Sequence, residues 1–232
     1  ALLSEANVQP EGPRRMFLLE QAINIADVLG DLRAGWDLRI RLMSDAEMSG
    51  YGDRTIVALA WCLGLADKDP ETFDAERVLW QLKWVAPGTA AYPAIPRAVI
   101  MGMLDEMERR YKAAGWGMRG VYHKRMSVHW SLGDLDEVKR YMTLWQATPR
   151  DFGSDCLACE RDQLVDLYTL FGEPARAVRE ARPLVESRQS CSHVPQRTYS
   201  KLTFPNWALG KHREALEMQR RGVKATRNGL EF

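Results

Sequence analysis

A large apolar residue followed directly by glycine recurs along the chain at Leu29-Gly30, Leu63-Gly64, Leu132-Gly133, Phe171-Gly172 and Leu209-Gly210. Successive glycines lie 34, 69, 39 and 38 residues apart, and 69 is close to two steps of 34. A period in this range is the mark of stacked helix–turn–helix units. Glycine adopts the left-handed conformation that ends a helix at little cost, and the chain then reverses into an antiparallel partner.

The residues around each glycine agree. Asp31, Asp134 and Glu173 sit where an acid complements the positive end of a new helix, and Pro174 suits a first helical turn. Leu135, Val138, Met142 and Trp145 fall on one helical stripe, as do Ala177, Ala181 and Leu184. Val99, Ile100, Met103, Leu104, Met107 and Tyr111 form another. No stretch alternates apolar and polar residues between hairpin turns, so a sheet is not expected. The pattern predicts about eleven helices, near 14–29, 31–47, 54–66, 72–85, 95–114, 117–132, 134–147, 158–171, 174–187, 197–209 and 212–226. Breaks are expected at Gly50-Tyr51-Gly52, from Pro87 to Pro96, from Pro149 to Ser154 and from Ser190 to Pro195. The expected fold is all-α, a right-handed superhelical solenoid of antiparallel helix pairs. It forms a single domain over 1–232, with an irregular elbow around 86–117.

Two segments carry a family resemblance. Trp207-Ala208-Leu209-Gly210-Lys211 followed by Glu214-Ala215-Leu216 resembles a tetratricopeptide repeat. So does Trp130-Ser131-Leu132-Gly133-Asp134 followed by Asp136-Glu137-Val138. Ala215 and Ala177 stand where the family places a small residue between paired helices, and Gly35 does so in a weaker first unit around Leu29 to Leu32. The family's first-helix aromatic is mostly missing, and Pro183 sits inside a helix where the family would not put it. The resemblance covers about two thirds of the chain, most closely from 118 onward, and 109–217 is similar to a group of uncharacterised bacterial repeat proteins. It implies an architecture and is unspecific for function.

Composition narrows the partner. Lys plus Arg number 32 against 31 Asp plus Glu, a net charge of +1, which gives no electrostatic reason to expect nucleic acid. No apolar run approaches the roughly 20 residues that span a bilayer. The first residues show no basic stretch leading into an apolar one, so no secretory signal is expected and a cytoplasmic location follows. The basic segment from Gln219 to Arg227 reads as a solvated helix end, with RNA contact as the alternative.

Four cysteines are too few for a disulfide scaffold. Cys156 and Cys159 form a C-x2-C pair, and Cys191 with His193 forms a C-x-H pair. Cys156 to Cys191 is 35 residues and Cys159 to His193 is 34, one repeat step, so the pairs belong to equivalent connections. These four are the candidate ligands of a structural zinc that would staple two adjacent units. A cysteine-only site completed by water or by His212 remains open, as do reduced thiols without metal. The resemblance to bacterial repeat proteins implies a set of these three cysteines, with a histidine sometimes at the position of Gln196. Cys62, between Trp61 and Leu63, reads as core.

Gly115-Trp116-Gly117-Met118-Arg119-Gly120 matches a dinucleotide-binding pattern literally. That mechanism needs a strand before the glycines, and Glu106 to Ala114 is helical in character, so a helix end is expected instead. No nucleophile elbow, phosphate loop or metalloprotease motif is present. His123 and His129 read as surface and groove residues. The eight tryptophans read as packing, with Trp36, Trp80, Trp130 and Trp145 on stripes. A groove lined by first helices would present Tyr122, Arg125, Met126 and His129, then Arg161 and Tyr168, then Arg197, Lys201 and Asn206. The expected function is a non-catalytic peptide- or protein-binding scaffold. Alternatives are a peptide-sensing regulator that changes conformation, or a metal- or thiol-dependent enzyme built on the cysteines.

Overall fold

The computed structural model describes residues 2–10, 12–48, 52–191 and 193–227. Among these the structure is helical throughout, with no strand and one isolated bridge, Cys191 to Val194. The chain divides into two compact units, residues 1–154 and 155–232. No helix is long and apolar enough to cross a membrane among the described residues.

The first unit holds α1 (Leu2–Val8), α2 (Pro13–Leu29), α3 (Leu32–Met48), α4 (Thr55–Lys68), α5 (Ala75–Gly88), α6 (Arg97–Ala113), α7 (Arg119–Ser131) and α8 (Leu135–Ala147). Each helix packs on the next through α3 to α7, and α2 pairs with α3 as α7 does with α8. One core runs from Trp36 and Met43 through Cys62, Leu82, Leu104 and Tyr111 to Val128. The second unit holds α9 (Leu157–Leu170), α10 (Pro174–Val185), α11 (Gln196–Lys201), α12 (Thr203–Ala208) and α13 (His212–Arg227). There α9 pairs with α10, and α11 and α12, parted only at Leu202, both pack on α13. The eleven expected helices are all present, the tenth broken at Leu202, and α1 is additional. Gly50 and Tyr51 of the first expected break lie outside the described residues, and Gly52 opens a single 3-10 turn, Gly52–Arg54.

The glycine signal is realised by one device. Gly30, Gly133, Gly172 and Gly210 have φ of 67°, 76°, 72° and 72°. Each donates its N–H three residues back, and the next residue donates five back: Gly133 to Trp130 and Asp134 to His129, Gly172 to Thr169 and Glu173 to Tyr168, Gly210 to Trp207 and Lys211 to Asn206. This double bond satisfies the last carbonyls of the helix and turns the chain. Gly115 closes α6 in the same way, bonding to Lys112 while Trp116 bonds to Tyr111.

Gly64 does not belong to the set. It lies inside α4, which runs on to Lys68, so the even step of 34 holds only in appearance across the first unit. Apolar residues on both sides, Leu63 and Leu65, pack into the core and carry the helix past the glycine. The expected loop at Pro87 is also shorter than predicted, because α5 continues through Pro87 and Gly88 into a 3-10 turn, Thr89–Ala91. Of the acids after the glycines, Asp31 caps α3 by accepting the Ala34 N–H at 2.9 Å. Asp134 and Glu173 make no cap bond; they pair with Arg97 and Arg176.

Gly117 and Gly120 are glycines for close approach. The Gly117 N–H donates to Asp151 Oδ2 at 2.6 Å, and a Cβ at Gly120 would stand 2.7 Å from the Gly153 carbonyl oxygen. The segment Asp151–Gly153 therefore lies directly on the start of α7, and the dinucleotide-like pattern is a helix end plus a packing contact.

Candidate metal centre

The first turn of α9 explains the C-x2-C spacing. Cys156 is the N-cap residue, with φ −63° and ψ 154°, and its sulfur accepts the Cys159 N–H at 3.3 Å. N-cap and third helical position face one another across the helix end, so two residues between the cysteines put both sulfurs together. The positive end of α9 favours negative charge there. Cys191 arrives from the other side. Its N–H donates to the Val194 carbonyl at 3.0 Å and its carbonyl accepts the Val194 N–H at 3.3 Å, which ties Cys191 to Val194. Ala158, Leu184 and Val194 form the apolar floor, with Cys159 and Cys191 against it.

The three sulfurs lie within 4.8 Å of one another, and Cys159 Sγ to Cys191 Sγ is 3.3 Å. A tetrahedral centre with metal–sulfur bonds near 2.3 Å sets its sulfurs about 3.8 Å apart. The thiols already lie close to that separation, so this donor set fits a soft divalent ion. Burial, together with the Cys191 and Cys156 sulfurs, pushes the Cys159 thiol well above its ordinary pKa. Burial also opposes ionising Cys191, but the His193 backbone N–H, the Cys159 thiol and the Val194 N–H outweigh it and hold its pKa below the usual 9.0. The two thiols are thus pushed in opposite directions, Cys191 toward easier and Cys159 toward harder ionisation. Cys62 is unrelated: buried in the first unit's core, its thiol is pushed up to about 12.

His193 meets the cluster through its backbone; among the described residues the close ligand atoms are the three thiols. The ring of His212 packs tilted against Trp207, with centroids 4.3 Å apart. Gln196 is exposed at the start of α11.

The residues expected to line a groove are mostly engaged in packing. Arg125 is buried, donating to Asp105 at 2.6 Å and to Glu108 at 2.9 Å. Met126 is fully buried, and His129 is buried against Tyr141, with Nδ1 3.2 Å from Asp134. His123, expected at the surface, is buried too and stacks on Trp145 at 4.8 Å. Helix α7 is covered by its partners, and Arg125 and His129 meet carboxylates inside the unit. Tyr122 is half-buried against Tyr141, and Arg161 pairs with Glu180 at 3.0 Å. Tyr168 is buried under the Arg176 guanidinium, and Asn206 is buried with its side chain donating to the Leu202 carbonyl. Arg197 is exposed. Lys201 donates to Asp162 Oδ2 at 2.6 Å and also contacts Asp166, while Thr198 donates to Asp162 Oδ1 at 2.6 Å.

A second feature lies in the first unit. A cleft of about 340 Å³ is lined by Ile40, Asp74, Glu76, Arg77, Trp80, Gln81 and Phe152. Phe152 is 72% exposed, and its ring lies 5.9 Å from Trp80 and 5.2 Å from Trp116. Helical periodicity placed Trp80 on a packing stripe but had no hold on Phe152, which lies in the non-helical segment after α8. No protein-family model matches the chain, and no curated protein matches it.

Proposed function

We propose that this chain is a non-catalytic binding scaffold, a right-handed solenoid of tetratricopeptide-like hairpins that captures an extended peptide or a partner's helix. The cleft at Trp80 and Phe152 carries the reading. A solvent-exposed phenylalanine beside a tryptophan, over the apolar Ile40 and edged by Asp74, Glu76 and Arg77, is the kind of surface that anchors one large side chain. Rigid hairpins closed by identical glycine caps support it, because preorganised helices hold such a surface at low entropic cost. A displayed library of random peptides panned on the whole protein should yield a consensus with one bulky anchor. Phe152→Ala should then weaken the selected peptides by about tenfold or more, as loss of an aromatic hot spot does. Because Phe152 is mostly exposed, that variant keeps its fold. Failure to enrich any consensus, or affinity unchanged by Phe152→Ala, overturns the reading.

Zinc at Cys156, Cys159 and Cys191 is the structural part of the proposal. It would join the start of α9 to the turn before α11 and so clasp the second unit. The protein should bind one zinc equivalent, with a Tm increase that Cys159→Ser abolishes; native mass measurement and thermal melts with and without chelator check this. No zinc uptake by the reduced protein removes the metal from the scheme.

A further inference from the structure

The cysteines that look paired in the sequence are not the two the fold brings face to face. The Cys156 sulfur caps the Cys159 N–H at 3.3 Å and lies within 4.8 Å of both other sulfurs. Cys159 turns its own sulfur to Cys191, 32 residues away along the chain and 3.3 Å away in space. Both are half-buried on the apolar floor of Ala158, Leu184 and Val194, neither fully enclosed, with Cys156 exposed beside them.

We propose that Cys159 and Cys191 are a thiol-oxidation site, which a hydroperoxide converts to an intramolecular disulfide while Cys156 stays reduced. One of the two sulfurs, as thiolate, attacks the terminal oxygen of the peroxide. The O–O bond breaks, and the departing alkoxide or hydroxide takes up the proton that the thiol released. The second sulfur attacks the resulting sulfenic acid; the S–S bond forms, the S–O bond breaks, and water leaves with the second thiol's proton. Two thiols lose two electrons and the peroxide gains them, giving one water and one alcohol, or two waters from hydrogen peroxide. Sulfurs already in contact make the second step intramolecular and faster than reaction with another molecule's thiol.

The test uses the full chain, reduced and freed of metal, treated with one equivalent of hydrogen peroxide, then alkylated and mapped by peptide mass. The expected product is lighter by two hydrogens, with Cys159 joined to Cys191. It should form equally in Cys156→Ser, an exposed position that leaves the core intact, and be absent from Cys159→Ser and Cys191→Ser. A predominant Cys156–Cys159 or Cys156–Cys191 link, loss of the crosslink in Cys156→Ser, or over-oxidation without any crosslink overturns the proposal. Zinc added beforehand should slow the crosslink about tenfold or more if the same sulfurs hold it. That arm alone rests on the metal reading: a crosslink that forms in a protein taking up no zinc removes the metal and leaves the oxidation site standing, and zinc uptake without a crosslink does the reverse.

Discussion

Replacing Lys201 with Met should destabilise the protein by about 3–5 kcal/mol at neutral pH, the cost of stripping one partner from a buried ion pair. Asp162 is almost completely buried and Asp166 largely so, and the Lys201 ammonium lies between them. Without it two carboxylates face each other, with Thr198 donating to one and the Arg197 charge acting on the other. Burial already raises the Asp166 pKa above its ordinary 3.8, with Lys201 opposing that rise. Removing the lysine raises it further. A carboxyl with a raised folded pKa stabilises the fold fully below its unfolded value and loses that contribution as pH climbs through the folded value. The deficit of Lys201→Met is therefore largest at neutral pH and shrinks on acidification toward the ordinary value of 3.8. Urea midpoints for both proteins at the two pH values check this, and an equal deficit at both refutes it.

Trp145→Ala should cost about as much, about 3–5 kcal/mol, for a different reason. The indole is fully enclosed between α7 and α8, its ring stacked on His123 at 4.8 Å with the Arg119 guanidinium 5.2 Å from its centroid. Arg119 also donates to the Trp145 and Thr148 carbonyls at 2.7 and 2.6 Å, fixing the end of α8. Truncation leaves a cavity edged by polar groups that relied on the ring. Because the loss is one of packing, it should persist across pH, unlike that of Lys201→Met. Chemical denaturation at the same two pH values separates the two cases.

The helices were legible because their signals are local. Gly133, Gly172 and Gly210 end helices through bonds that span five residues, and a sequence window of that size contains the whole motif. Gly64 shows where the signal fails: the same dipeptide inside a longer apolar segment is overruled by core contacts that no window displays. The three cysteines were legible as a group through their repeat spacing. Their internal pairing was not, because the 3.3 Å contact of Cys159 with Cys191 joins residues 32 apart along the chain, which only the fold brings together. Arg125 and His129 read as groove residues since charge normally means solvent. Asp105 and Glu108 neutralise Arg125 and Asp134 hydrogen-bonds the His129 ring, and these partners lie 5 to 20 residues away along the chain.

The contact of Cys159 with Cys191 has a consequence for how the second unit can change over generations. The chain enters the α9–α10 hairpin at Cys156–Cys159 and leaves it at Cys191, so entry and exit meet at one spot. A segment whose two ends meet behaves as a cassette. It can be exchanged, duplicated or cut at its far tip, Gly172, while the chain on either side still finds its way back to the same place. Splitting the protein at Gly172 and mixing the halves is accordingly the natural route to a two-piece version of this unit, with the sulfur cluster as the clasp that rejoins them.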